Sequence, residues 1–210
     1  MGRAALVGRG AQLLVGLALF GTGLWLGLQA HLGVGPWDVL HGGLSGLVGT
    51  SFGTTSIGVG ALVLVVAVGA GVRPGVGTVL NVVVVGLVID LLLATPALDG
   101  LGDGPVALRL VSTAAGIVVV AVGSALYLGA HLGPGPRDGL MVAISRRTGW
   151  STGRARAALE CGVLVIGVAL GGPVGLGTVA FALGIGPAVQ LAFRLLHQTP
   201  EARPAVGATP

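Results

Sequence analysis

Apolar residues in this chain do not alternate with polar ones; they run together. From Ala11 to Ala30 the stretch AQLLVGLALFGTGLWLGLQA holds no charged residue. That length is close to the ~20 residues a helix needs to cross a bilayer core. Six such runs occur, at roughly 11–30, 53–72, 75–95, 108–130, 155–172 and 174–195. A membrane core offers no water to backbone N–H and C=O groups, so runs of this length predict helices. Two shorter segments, 36–49 and 136–148, open on Gly35-Pro36 and Gly135-Pro136 and stop at Gly49 and Gly149. Pro is favoured at the first helical position and Gly just past the last. Helices this short reach about 20 Å, less than the core's thickness, so they are expected to re-enter or lie flat rather than span.

The two short segments belong to a repeat. AHLGVGPWDVL begins at Ala30 and AHLGPGPRDGL at Ala130. At the same offset Gly16 answers Gly116, Gly23 answers Gly123, Ser45 answers Ser145, GVGT at 75–78 answers GLGT at 175–178, and Gly86 answers Gly186. Each half is then a span, a short helix and two more spans. Three crossings is an odd number, so the second half enters the membrane inverted relative to the first. Many secondary transporters share this architecture, with the site where the halves meet; a duplication serving stability alone is the other explanation. The expected fold is an all-α membrane protein of six transmembrane helices in two inverted three-span repeats, about 11–95 and 108–195. Each repeat carries one short re-entrant or interfacial helix. The transmembrane domain is placed at 1–197, and the Pro- and Ala-rich segment 198–210 is expected to be disordered.

Composition agrees with this picture. Only 9% of the residues are charged and 53% are hydrophobic, against about a quarter charged in soluble domains. The pI near 11 does not indicate nucleic acid, because net charge is only +4 and the arginines lie at the ends of apolar runs. With the N-terminus inside, every arginine except Arg109 falls on the inner side, as the positive-inside rule requires. Both termini are therefore expected in the cytoplasm. The first run is about 20 residues long and no A-x-A site follows, so it reads as a retained span rather than a signal peptide. A single cysteine, Cys161, allows no intrachain disulfide. No metal-ligand cluster, phosphate loop or nucleophile elbow is present, so no metal, cofactor or enzymatic activity is expected.

LGVGPWDVL at 32–40, GPRDGLM at 135–141, the following SRRTG and Glu160 within a span resemble the YczE/YyaS group of bacterial membrane proteins, often filed with the YitT family. The resemblance extends over about 10–197. It implies a multi-pass bacterial plasma-membrane protein and marks Gly35, Pro36, Trp37 and Asp38, with Gly135, Pro136, Arg137 and Asp138, as signature positions without assigned roles.

Several polar residues are candidates for binding a solute or ion. Asp38 and Asp138 fall in the first turn of the short helices, where a carboxylate either caps free N–H groups or meets a cation. Asp38, His41 and Ser45 share one face; Met141 replaces His41 in the second copy. His31 and His131 end the first and fourth spans, as interfacial anchors or proton relays. Asp90 and Glu160 lie inside spans, where a carboxylate is costly and usually faces protein or water. Arg156 stands one turn before Glu160, whereas Asp90 has no base nearby in sequence and is the stronger candidate. Asn81 corresponds to Phe181, and Asp90 to Gln190, so the two halves differ in polar lining. Arg146, Arg147, Arg154 and Arg156 form a basic inner loop suited to anionic lipid headgroups. Glycine pairs spaced by four, such as Gly23 and Gly27, are too frequent among 41 glycines to carry weight. The expected function is transporter-like movement of a small solute, coupled to protons through Asp90 or the repeat aspartates; the alternative is a non-transporting accessory or scaffold protein in a membrane-bound complex.

Overall fold

The computed structural model describes residues 3–198. These residues form eight α-helices: α1 (Arg3–Gln29), α2 (Pro36–Val48), α3 (Phe52–Gly69), α4 (Val76–Leu93), α5 (Val106–Gly129), α6 (Pro136–Thr148), α7 (Thr152–Ala169) and α8 (Leu176–Leu195). One 3₁₀ turn, Leu101–Asp103, lies between α4 and α5. Among the described residues there is no strand. Each apolar run becomes one long helix, and α1 begins several residues before its run. The tail, apart from Gln198, lies outside the described residues.

Both short helices start on their proline and stop where the glycine stands, Gly49 at φ 72° and Gly149 at φ 70°. Neither Gly35 nor Gly135 supplies a side-chain cap. The first turns of α2 are buried, through Pro36, Trp37, Asp38 and Val39, while Leu47 at its far end is 70% exposed. The helix therefore enters the bundle with its N-terminus foremost rather than resting one face on it.

Five helices, α1, α3, α4, α5 and α8, are long and apolar enough to cross a membrane. The remaining long helix, α7, matches them in length but carries Arg154, Arg156 and Glu160. Outer faces are strongly apolar: Val65 is 68% exposed and Leu183 74%. Water penalises an apolar surface this large, and lipid does not.

At the centre α1 and α5 pack backbone to backbone. A Cβ on Gly16 would sit 2.5 Å from the Tyr127 nitrogen, and one on Gly23 would sit 2.6 Å from the Val120 nitrogen. On α5, Gly123 faces Gly16 and Gly116 faces Gly23, so the pair is antiparallel. Leu13, Leu17, Leu24, Val85, Ile89 and Val120 fill the core around this seam.

Each half also holds the loop of the other. The Gly177 N–H donates to the Leu32 carbonyl at 2.7 Å, and the Gly77 N–H donates to the Leu132 carbonyl at 2.7 Å. The Thr78 hydroxyl adds a 2.6 Å bond to the Pro134 carbonyl. The loops turn sharply to reach these partners, with Gly33 at φ 92° and Gly133 at φ 121°. The repeated GVGT and GLGT thus serve the repeated HLGxGP segments, across the halves.

Candidate solute cavity

The buried N-termini of α2 and α6 converge on one cavity of about 210 Å³. Its walls include Trp37, Asp38 and His41 from α2, Asn81 from α4, Tyr127 from α5, Arg137 and Asp138 from α6, and Glu160 from α7. This volume lies below the 300–1,000 Å³ typical of drug-sized ligands. Phe20 meets Tyr127 edge to face with ring centroids 6.0 Å apart. Trp37 and Arg137 hold the same position in the two repeats, and they stack: the guanidinium carbon lies 4.6 Å from the indole ring centroid. A planar guanidinium on an aromatic face is a favourable cation–π pair, stronger where water is excluded.

Asp38 and His41 line one wall and are 3% and 1% exposed. Asp38 Oδ1 and His41 Nδ1 are 3.5 Å apart, and neither atom has a hydrogen-bond partner among the described residues. A buried polar atom without a partner is costly, about 1–3 kcal/mol and more when charged. Burial of this depth favours the uncharged imidazole. His41 also packs edge to face on Phe52 with centroids 5.8 Å apart, which holds the ring in place. On α7 Glu160 accepts a 2.8 Å bond from Arg156; this pair lines the cavity and is partly exposed, which marks the open side.

The matching family model, a family of unknown function designated DUF6198, covers residues 7–194. The chain belongs to this family. An uncharacterized protein of Haemophilus influenzae is 38% identical over 190 residues, covering 90% of this chain and 84% of its own. The uncharacterized membrane protein YczE of Bacillus subtilis is 33% identical over 171 residues, with 80% and 77% covered. YyaS of the same organism is 26% identical over 169 residues, with 78% and 82% covered. These relatives agree with the resemblance carried by the GPxD motifs, and the chain is a YczE/YyaS-type multi-pass membrane protein. No solved structure matches it.

Of the sequence candidates, Asp38, His41, Asn81, Asp138 and Glu160 meet at the cavity. Asp90, the stronger candidate from sequence, does not line it. Its Oδ1 accepts from the Gly53 N–H at 2.7 Å and its Oδ2 from the Thr54 N–H at 3.1 Å. Sequence shows no base near Asp90 because its partners are the free N–H groups opening α3, a neighbour only in the fold. His31 and His131 also lie outside the cavity, where the chain turns out of α1 and α5 at φ 50° and 53°. The carbonyls of Ala30 and His31 accept from Arg109 at 2.8 Å each, so the one arginine expected outside closes the end of α1. Ser45 bonds back to the Gly42 carbonyl within its own helix.

Three cavity residues had no role assigned from sequence. Arg137 and Trp37 were signature positions, and their shared repeat position was the available signal. Tyr127 is the only tyrosine in the chain and sits inside an apolar run. Among the described residues no group of three His, Cys, Asp or Glu side chains gathers into a metal site.

Proposed function

We propose that this chain is a secondary-transporter-like protein of the plasma membrane, with the central cavity as its solute site. In this reading six helices span, α7 included, in two inverted halves with both termini in the cytoplasm. α2 and α6 are the re-entrant broken helices. The observation that carries the reading is the cavity itself. Two equivalent buried helix N-termini, with Asp38 and His41 unsatisfied beside them, face a space inside an otherwise apolar bundle. A protein selected only for stability would fill such a space or satisfy its polar atoms. Inverted halves that exchange conformations would open the site to either side in turn. The antiparallel α1–α5 seam and the reciprocal loop contacts suit such an exchange. Of the charged residues of α7, Arg154 is exposed in the first turn, and Arg156 and Glu160 pair with each other at the cavity's mouth, which lowers the cost of a span. Exposed Arg146, Arg147 and Arg154 on that side are positioned for anionic headgroups.

The test is two-sided access. Met141 lines the cavity; in a Cys161→Ala background, Met141→Cys is treated with a membrane-impermeant maleimide in right-side-out and inside-out vesicles. Labelling from both sides is the expected result. Labelling from one side alone would refute alternating access and leave a static pocket.

A further inference from the structure

We infer that the cavity binds a small monovalent organic cation, an ammonium or guanidinium compound, at Asp38, and that this cation competes with a proton held by Asp38 and His41. The inference rests on reading the cavity as a solute site and adds the class of solute.

The charge balance points there. Three carboxylates line the cavity, Asp38, Asp138 and Glu160, against two guanidiniums, Arg137 and Arg156. Tyr127 and His41 add no charge in their neutral forms. By side-chain charge one negative is therefore left over in a cavity walled mostly by apolar side chains, with Ser56, Asn81 and Ser124 among them; the partial positive charge of the two helix N-termini is spread over backbone N–H groups, and Asp38 Oδ1 accepts from none of them. Burying an unbalanced charge is expensive, so the site favours taking up one positive charge. That charge is a proton when the site is empty and the solute's own when it is filled. On entry of the cation, the proton leaves Asp38–His41 for the water at the open side, and the net charge of the cavity is the same before and after.

The place of binding follows from partners. Glu160 is taken by Arg156, whereas Asp38 Oδ1 is buried without a hydrogen-bond partner. The protein itself shows how a cation is accommodated here, since the Arg137 guanidinium carbon lies over the Trp37 ring. An N–H donor entering the cavity would satisfy Asp38 Oδ1 and meet the same kind of aromatic wall at Phe20 and Tyr127. A solute anion would instead add a second unbalanced negative charge. Because Met141 stands where His41 has its repeat equivalent, the proton pair exists in one half only.

The experiment uses the purified Met141→Cys, Cys161→Ala protein in detergent, with maleimide labelling rate as the readout. The probes are methylammonium, tetramethylammonium and guanidinium, with sodium, acetate and phosphate as comparisons. At least one organic cation is expected to slow labelling several-fold at millimolar concentration, while sodium and the anions leave it unchanged. Direct competition makes the half-protecting concentration rise by up to about tenfold per unit fall in pH, the limit for exchange against one proton. Asp38→Asn is expected to remove the protection. Protection by an anion, no protection by any of the three cations, or protection independent of pH would each overturn the inference. The last two measurements need no substitution at Asp38, so misfolding of that variant leaves the test intact. Two-sided labelling without cation protection would remove this inference and keep the transporter reading; one-sided labelling with protection would do the reverse.

Discussion

At the scale of single residues, position in the fold separates two carboxylates that look alike in sequence. Asp90 and Asp38 each sit in an apolar context, but Asp90 accepts from two N–H groups of α3 while Asp38 Oδ1 accepts from none. Asp90→Ala is therefore expected to cost about 1–3 kcal/mol of stability, the range for a lost charged cap. The same variant should leave labelling of Met141→Cys unchanged; a thermal unfolding series and the labelling assay measure the two effects. Arg137 is the opposite case. Arg137→Gln removes one of two positive charges that offset three carboxylates, with an expected loss of about 3–5 kcal/mol near neutral pH. Acidification lowers the excess of negative charge that the substitution creates, so the deficit relative to the parent protein should shrink as pH falls. Melting curves at pH 5 and pH 8 give the sign, and a deficit that grows on acidification would contradict this account.

At the scale of elements, glycines decide how closely helices pack, and their spacing alone does not reveal which ones matter. In the pair Gly23 and Gly27, a Cβ on Gly23 would meet backbone atoms of Val120 and Gly116 at 2.6 and 2.7 Å, whereas one on Gly27 would meet nothing within 4 Å. Gly23→Ala should thus destabilise the α1–α5 seam by about 1–3 kcal/mol, the usual cost of overpacking. Gly27→Ala should be neutral or gain up to about 1 kcal/mol from helix propensity. Equal effects of the two substitutions in thermal unfolding would show that the seam is not close-packed as described. The short helices were legible as elements from their Gly-Pro openings and terminal glycines. Their burial was not, because α2 is covered by α7, whose contact depends on Gly167 lying against the Leu40 backbone.

At the scale of the whole molecule, the inverted arrangement proposed above makes a prediction that needs no ligand. Leu47 and Arg147 occupy the same repeat position, and both are exposed. In the Cys161→Ala background, Leu47→Cys is expected to react with an impermeant thiol reagent in intact cells, and Arg147→Cys only after the membrane is opened. Reaction of both from one side would mean that the halves are parallel. Gly43 and Ala143 are unsuited to this purpose: a side chain on Gly43 would press on the Gly167 carbonyl at 2.8 Å, and Ala143 is 3% exposed.

By itself the sequence determined the helical class, the positions of the helices, the membrane environment and the existence of two equivalent halves. These follow from local quantities: run length, residue type, the conformational demands of Pro and Gly, and a repeat visible at one offset. It also supplied most of the polar residues now found together, because the paired GPxD motifs mark the two helix starts that converge. Only the tertiary structure decided which polar groups share a space. Asp90 is assigned to a helix start brought to it from more than thirty residues away, and Arg137 to an indole from the other half. The GVGT and GLGT segments are assigned to loops across the seam. Each of these pairings depends on distance in space between groups far apart in the chain, and no periodicity along the chain records that distance.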